Sequence, residues 1–382
     1  MHFTFTFRQD AFRREVREIL AVTWTPEFWG HRCVHREPAW APEFFRPAAA
    51  RGLFAASWPR EYGDRAQGPL EQTISMGEMA YIGAPQEHHR PTIQLGGPWL
   101  MLYGSADQNQ KYPAAIAVAE FGFAVGRSEP SSGFDLANVE TRTTRDGDDF
   151  VLNGVNRYTS GAHYADYLWC VARTDLDAPK RRCISMFVVT VKVPGVDVVP
   201  PFDLQPTHYF NSVGLHDVRV PTDHLVGGEN RGRHPNAQTV DSERSGGAHT
   251  CSAGRKTDLA LEWVRTPGVQ FQECDRPRLT AVAVIIKIAW LLGCLTAWVR
   301  TEGCSPTARR RWPSCSPRRA AKASPKSCFV SPGRAAFSPQ VLPAEETGAP
   351  AILTPRPPQL DRARVKSQHN VIATRCLGLP RP

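Results

Sequence analysis

Two short clusters of metal-binding residue types occur in the first hundred residues. The stretches are HRCVH and EHH, and their members are His31, Cys33, His35, Glu87, His88 and His89. Imidazole, thiolate and carboxylate groups are the usual ligands of zinc and related ions. Alternating residues of a loop rarely converge on one ion without a further ligand cluster, and no CxxC pair supplies one. We therefore expect solvated loops here and no metal site.

Nucleotide-binding loops are also missing from the sequence. Neither GxGxxG nor GxxxxGK[ST] occurs, which excludes the Rossmann and P-loop signatures. The ten cysteines follow no regular spacing, so neither a zinc module nor a disulfide framework is indicated. The first twenty residues contain no export signal. These features predict a reducing, cytoplasmic compartment.

The first part of the chain has a helical pattern up to about residue 118. In residues 10–21 the apolar side chains recur at spacings of 4, 3 and 1, and Asp10 can cap the helix. Similar patterns follow at 43–56, 70–83 and 92–103. We expect an N-terminal helical domain over residues 1–118.

The period then changes to that of strands. Asn153-Gly154 lies between two short runs of strand-forming residues, which predicts a tight hairpin there. Further strand-like segments continue to about residue 226. We expect a compact antiparallel β domain over 119–226.

A helical pattern returns from about residue 236 and gives the chain an α+β order. The apolar run 280–299 suits the central helix of a bundle, and a membrane span is the alternative. Lys287 in the middle of the run disfavours the membrane. We expect a partial C-terminal helical domain over 227–303.

The last fifth of the chain has a different composition. Residues 304–382 hold 14 Lys and Arg against 3 Asp and Glu, with 13 of the 33 prolines. Such a segment buries too little apolar surface to offset chain entropy, so a disordered basic tail is expected. The surplus of basic residues in this tail accounts for the chain's net charge of +9.

The most specific stretch is VGRSEPSSGFDLANVETRTTRDGDDFVLNGVNRYTSGA, residues 125–162. It resembles the middle region of acyl-CoA dehydrogenases, where a Ser/Thr-Glu-Pro loop is followed by a hairpin reading Asn-Gly-x-Lys-x-Trp and then by Thr-Ser-Gly-Ala. The resemblance extends through LFAASWPREYGD, YGSADQNQKY, DVRVPTDHLVGGENRG and DSERSGG, in the family's order, over about residues 10–303. It implies an FAD-dependent enzyme that oxidises an acyl-CoA in lipid metabolism.

The resemblance also implies where the cofactor and substrate bind. A polar loop and a strand segment hold the flavin, and Phe134 occupies a position that contacts the CoA chain in the family. Carried over residue by residue, the flavin contacts are Val125, Arg127, Ser128, Gly133, Tyr158, Thr159 and Ser160. The alternative is that these are ordinary hairpin and turn residues.

The family's chemistry needs a base that removes the proton α to the thioester carbonyl. In one branch that base is a Glu immediately before an Arg on the first helix of the C-terminal bundle, a position that Glu243-Arg244 matches. A carboxylate in an apolar slot beside a guanidinium suits this role. Asp241 matches a substrate contact together with Arg244. A plain surface ion pair on a helix is the alternative.

The sequence departs from the family pattern at several of these positions. Ser131, Ser132 and Phe134 stand where the family has Gly, Ala and Ser, and Tyr158 stands where it has Trp. Arg127 occupies a position that is usually apolar. These changes bear on affinity for flavin and thioester.

The tail shows none of the family's remaining helices, and a reading-frame shift would account for this. With suitably chosen codons, Arg311–Pro317 can be read in another frame as Met-Ala-Lys-Leu-Phe-Ala, which resembles the family's next helix. The hypothesis is a shift near residues 303–308.

The family's enzymes are homodimers or homotetramers with an electron-transfer partner, and the same is expected here. A competing interpretation is a non-catalytic remnant or binding protein whose basic tail contacts nucleic acid or an acidic surface. The tail has little aromatic interleaving and no recognised fold, which disfavours nucleic acid. A membrane partner is disfavoured as well.

Overall fold

The structure is a computed structural model of the chain. It describes residues 4–25, 41–62, 67–85, 89–132, 136–180, 182–200, 210–232, 248–267 and 276–301. Contacts between Cα atoms divide the chain into two units. One contains the start of the first helix and three later helices, and the other contains the remaining helices and all the described strands.

The N-terminal part is helical, as the sequence predicts. Its helices are α1 (Phe7–Thr23), α2 (Pro42–Ala50), α3 (Pro69–Tyr81), α4 (Gly97–Tyr103) and α5 (Ala106–Ala117). A short turn, His89–Pro91, and a π-helical turn, Thr92–Gly96, lead directly into α4.

Helix α1 buries the expected face, with Phe12, Val16 and Leu20 all below 5% exposed. Asp10 was expected to cap this helix, but that expectation is wrong. The helix begins earlier, at Phe7, and Thr6 Oγ1 accepts a hydrogen bond from Gln9 N at 3.3 Å. Gln9 Oε1 accepts one from Thr6 N at 3.0 Å, so the two residues form a reciprocal cap.

The eight described strands form one mixed sheet. They are β1 (Phe123–Gly126), β2 (Arg142–Asp146), β3 (Asp149–Ser160), β4 (Tyr167–Arg173), β5 (Ile184–Thr190), β6 (Val196–Val199), β7 (Phe210–Pro221) and β8 (Leu225–Val226). Their order is β6-β7-β3-β2-β4-β5-β8, and β1 pairs with β4. Most neighbours are antiparallel, whereas β1 runs parallel to β4, which the expected antiparallel domain did not include.

The predicted hairpin at Asn153-Gly154 is also wrong. The turn lies at Gly147-Asp148, between β2 and β3, and Asn153 lies inside β3. Asn153 Nδ2 donates to Asp217 Oδ1 at 2.9 Å, and Asp217 N donates to Asn153 Oδ1 at 3.0 Å. The β3 and β7 registers shift here, and His216 and Asp217 of β7 lie opposite the single residue Asn153, so the β-bulge belongs to β7.

The core of the sheet is an apolar cluster on its inner face. Its members come from β3, β4, β5 and β7 and include Leu152, Leu168, Phe187, Val189 and Val213, each at most 1% exposed. Burial of this side of the strands fixes their register, because a slip of one residue would turn the whole set to solvent.

The helical unit contains α3, the start of α1, α6 (Ala248–Val264) and α7 (Arg276–Thr301). Helices α3, α6 and α7 pack against one another. Arg13 forms an ion pair with the buried Glu78, and Tyr81 Oη donates to Asp258 Oδ2 at 2.7 Å. This hydrogen bond raises the pKa of Tyr81.

Helix α7 contains the long apolar run noted in the sequence. Among the described residues, Leu279–Thr301 is long and apolar enough to cross a membrane. Lys287 lies exposed near its middle, and the helix packs against α3 and α6. Length and composition suit the core helix of a bundle as well.

Candidate functional site

The first predicted flavin-binding segment begins inside β1, at Val125, and continues beyond its end. Residues 123–126 pair with 167–170 of β4, and Val125 is opposite Trp169. Val125, Arg127 and Ser128 are each half-buried. The parallel pairing therefore places the start of the loop at the end of a buried strand.

A tight turn closes this loop. Glu129 N donates to Ser132 O at 2.9 Å, and Ser132 N donates to Glu129 O at 3.2 Å. Glu129 and Ser132 are each 4% exposed, while Pro130 and Ser131 between them are exposed. Ser132 thus contributes a buried side chain at a position where the family has Ala.

The second predicted segment is the end of β3. The registers of β3 and β7 shift a second time between Asn156 and Thr159, so Arg157 and Tyr158 form a bulge. Tyr158 has a φ of 57°, which is an outlier for a bulky residue. Tyr158 is 57% exposed, and its ring centroid lies 6.2 Å from that of Phe210 in an edge-to-face contact. Such strain in a native structure is often associated with binding sites.

Two direct contacts join these segments. Arg157 N donates to Ser128 O at 2.7 Å. Just before these two residues, Asn156 lies fully buried against Gly126, where an added Cβ would come within 2.3 Å of Asn156 Oδ1. The structure therefore brings Val125–Ser128 and Tyr158–Ser160, predicted from separate motifs, to one place on the sheet.

Thr159 and Ser160 follow the bulge toward β7. Thr159 pairs with Asn211 and Ser160 with Phe210. Asn211 Nδ2 donates to Thr159 O at 3.1 Å and lies 3.0 Å from His163 Nδ1. Thr159 Oγ1 is buried and has no hydrogen-bond partner in the part of the chain that the structure describes.

These residues fit a planar, polar-edged cofactor such as FAD. The Tyr158 ring offers an exposed aromatic surface, and the half-buried hydroxyl groups of Ser128 and Ser160 lie on the two joined segments. A flavin ring needs an apolar surface for its face and hydrogen-bonding groups for its nitrogen and oxygen atoms. The strained backbone at Tyr158 is the observation that most favours a ligand here.

Five of the predicted site residues lie outside the described residues. They are Gly133 and Phe134 of the loop and Asp241, Glu243 and Arg244 of the DSERSGG motif. Their roles stay predictions from the sequence.

Sequence reasoning missed Glu129 as part of this site. Its carboxylate accepts hydrogen bonds from Thr141 N at 2.8 Å, from Thr141 Oγ1 at 2.6 Å and from Glu140 N. Asn156 was missed too. The neighbours of Glu129 and Asn156 along the sequence give no pattern that distinguishes burial from exposure, so only the three-dimensional structure identifies both.

Of the six residues in the metal-ligand clusters noted first, only His89 is described, so the expectation for those clusters stays a prediction. Within the described ranges, no group of three or more His, Cys, Asp or Glu residues could hold a metal ion. His89 is fully buried, in contrast to the expected solvated loop, with ring centroids 5.0 Å from Phe54 and 5.6 Å from Phe45. His89 is thus buried by packing between aromatic rings, just before the π-helical turn, although its side chain is polar.

Comparisons with known proteins agree with this architecture. Residues 6–120 match the family model "Acyl-CoA dehydrogenase, N-terminal domain", and residues 124–209 match "Acyl-CoA dehydrogenase, middle domain". Together the two models match more than half of the chain.

Two curated relatives come from Mycobacterium tuberculosis. Acyl-CoA dehydrogenase FadE29 is 38% identical over 220 residues, which is 57% of this chain and 56% of that protein. Acyl-CoA dehydrogenase FadE26 is 35% identical over 244 residues, which is 61% of this chain and 59% of that protein. The matched region thus spans less than two thirds of either relative.

Solved structures share the fold. A structure titled "Tcur3481-Tcur3483 steroid ACAD" superposes with a TM-score of 0.82 at 25% identity and covers all of both chains. The ChsE4-ChsE5 complex from Mycobacterium tuberculosis superposes with a TM-score of 0.78 at 27% identity, again over all of both chains.

Proposed function

Because the chain belongs to the acyl-CoA dehydrogenase family, we propose that it binds FAD and dehydrogenates an acyl-CoA between its α and β carbons. The observation that carries the proposal is the joined pair of segments at Ser128 and Arg157, with Tyr158 exposed beside them. In the family these two segments hold the flavin.

Each described residue has a definite task in this proposal. Tyr158 offers its ring as the surface against which the flavin packs. Ser128 and Ser160 supply hydroxyl groups for the polar edge of the ring, while the backbone of Val125 and Arg127 borders the loop. Bound FAD supplies the acceptor for the hydride that leaves the β carbon.

Removal of the proton falls to residues outside the described part of the chain. We propose that Glu243 takes the proton from the α carbon and that Arg244 sets the acidity of that carboxyl group. Asp241 and Arg244 hold the substrate, and Phe134 packs against the CoA chain. A positioned carboxylate of this kind contributes roughly a hundredfold to ten-thousandfold in rate.

The test is the visible spectrum of the purified chain with one equivalent of FAD. A resolved flavin band that stays with the protein on gel filtration, and that bleaches on anaerobic addition of an acyl-CoA, is the expected result. A protein that elutes without flavin contradicts the proposal. Bound flavin that no acyl-CoA bleaches leaves the cofactor site intact and contradicts the dehydrogenase activity.

A finer proposal concerns the acyl group. One of the structures that share the fold at 25% identity or above is titled a steroid ACAD. We propose a bulky, polycyclic acyl-CoA as substrate. The comparison of a steroid side-chain CoA thioester with octanoyl-CoA tests it, and faster bleaching by octanoyl-CoA contradicts it.

Assembly belongs to the same proposal. Both high-scoring structures are titled as two named chains, Tcur3481 with Tcur3483 and ChsE4 with ChsE5. We propose that this chain associates with acyl-CoA dehydrogenase chains, either its own copies or a related one, and passes electrons to a separate acceptor in the cytoplasm. Light scattering of the chain alone tests self-association, and a monomer favours the related partner.

A further inference from the structure

The geometry points to Glu129 as a positioning residue for the flavin, acting through the loop Arg127–Ser132. This inference rests on the proposed FAD binding. Glu129 is buried, at 4% exposed, and its carboxylate accepts hydrogen bonds from residues 140 and 141.

The carboxylate accepts three hydrogen bonds from one short segment. Glu129 Oε1 accepts from Thr141 N at 2.8 Å and from Thr141 Oγ1 at 2.6 Å, and Oε2 accepts from Glu140 N. Hydrogen bonds to a charged acceptor are roughly twice as strong as those between neutral groups. These three bonds therefore fix residue 129 relative to the start of β2.

Thr141 in turn is fixed against β3. A Cβ added to Gly154 would lie 2.3 Å from Thr141 Oγ1 and 2.8 Å from its Cα, so the two backbones are in direct contact. Three residues farther along the same strand, Arg157 N donates to Ser128 O. The contacts form a closed circuit from Glu129 through Thr141, Gly154 and Arg157 to Ser128.

The circuit explains how the loop keeps its conformation. Ser128 is held through its carbonyl group and Glu129 through its side chain, so the peptide that joins them is fixed at both ends. With either bond lost, the loop samples other conformations, and the apparent Kd for FAD rises in inverse proportion to the fraction that is correctly formed.

Glu129→Gln is the sharpest change because it preserves size. An amide group turns one NH2 toward a backbone N–H of residue 140 or 141, so one buried donor loses its acceptor. The neighbouring Glu140→Gln is the matched control, because Glu140 is exposed and contributes only its backbone N–H to the circuit. Thr141→Val removes the 2.6 Å bond with little change in shape.

The measurement is the Kd for FAD by quenching of flavin fluorescence, together with urea unfolding of the flavin-free chain and the spectrum at saturating FAD. For Glu129→Gln we expect a Kd raised about tenfold or more and a saturated spectrum like that of the wild type. Thr141→Val should raise the Kd less, and Glu140→Gln should leave it unchanged.

The outcomes distinguish a failure of the proposed FAD binding from a failure of the role inferred for Glu129. Wild-type chain that binds no FAD overturns the proposed function and this inference with it. If the wild type and Glu129→Gln bind FAD equally well, the inference alone is overturned. The same holds if Glu129→Gln loses folding stability while its Kd for FAD is unchanged. Where Glu129→Gln does not fold, Thr141→Val decides, and an unchanged Kd for that variant overturns the inference.

Discussion

The backbone N–H of Arg157 donates a 2.7 Å hydrogen bond to the carbonyl oxygen of Ser128, so a bulge in β3 and the loop after β1 share one anchor point. The residues are 29 positions apart in sequence. The anchor belongs to the backbone and does not depend on either side chain. Replacing Arg157 or Ser128 by another residue other than proline should therefore leave it in place.

Substitutions of Tyr158 should affect folding stability and cofactor binding differently. Its φ of 57° is a conformation that glycine adopts without strain, so Tyr158→Gly relieves about 1 kcal/mol of backbone strain. The exposed ring contributes little burial in the flavin-free chain. We expect Tyr158→Gly to unfold at the same or a higher urea concentration and to bind FAD at least tenfold more weakly, whereas Tyr158→Phe should retain binding. Equal FAD affinity for the glycine variant would contradict the role assigned to the ring.

Glu243 provides the direct test of the proposed chemistry. Glu243→Gln removes the base while it keeps the size of the side chain, so we expect FAD binding unchanged and anaerobic bleaching by acyl-CoA slowed by at least a hundredfold. Glu262→Gln, a change of the same kind at an exposed site on α6, is the matched control. Bleaching of Glu243→Gln at the wild-type rate would place the base elsewhere.

Two helical glycines should respond in opposite ways to alanine. A Cβ at Gly77 of α3 would meet Cys251 Sγ at 3.0 Å and the Trp290 ring at 3.1 Å, so Gly77→Ala should cost about 1 to 3 kcal/mol. At Gly254 of α6 the nearest atom is Ile286 Cγ2 at 3.9 Å, so Gly254→Ala should add up to about 1 kcal/mol. Urea unfolding of both variants measures the contrast, and equal effects would contradict the packing of α3, α6 and α7.

Buried thiols should make the fold sensitive to alkali. Burial raises the pKa of Cys170 from 9.0 to about 12. Above pH 9 the unfolded chain releases this proton while the folded chain keeps it, so the free energy of unfolding falls as pH rises toward 12, by about 1.4 kcal/mol per unit. We expect the wild type to lose more stability than Cys170→Ala between pH 8 and pH 10.5. Parallel curves for the two proteins would rule out a contribution from this thiol.

The origin of residues 304–382 can be read from the gene. If a frame shift near residues 303–308 produced this basic, proline-rich segment, an alternative frame of the same DNA should encode further helices of the family's C-terminal domain. Sequencing the gene and its transcript tests this, and the hypothesis fails if neither alternative frame encodes a helical continuation.

Sequence reasoning predicted the order of helices, sheet and helices, because that order depends on periodicity. The flavin-binding role of the two segments stays a prediction from short motifs. Sequence reasoning failed where two equivalent signals competed. Gly147-Asp148 and Asn153-Gly154 are both turn-forming pairs, and only the first becomes the turn. Which pair turns depends on the pairing of β3 with β7, a contact between distant residues that local preference does not contain.

Side-chain environment was harder to predict than backbone class. His89 and Glu129 are polar residues in polar surroundings along the sequence, yet both are buried. His89 packs between aromatic rings, and Glu129 finds its donors eleven and twelve residues later. Burial of a polar group is decided by whether partners are available in space.

The bulge at Tyr158 affects the order in which segments of the chain can fold during synthesis. Its partner strand is β7, and Asn211 binds the carbonyl group of Thr159. A ribosome releases residues 157–160 well before residues 210–221, so β3 leaves the exit tunnel with this edge unpaired. Residues 157–160 can reach their final conformation only after β7 has emerged, and until then the nascent chain exposes a strand edge that chaperones can recognise.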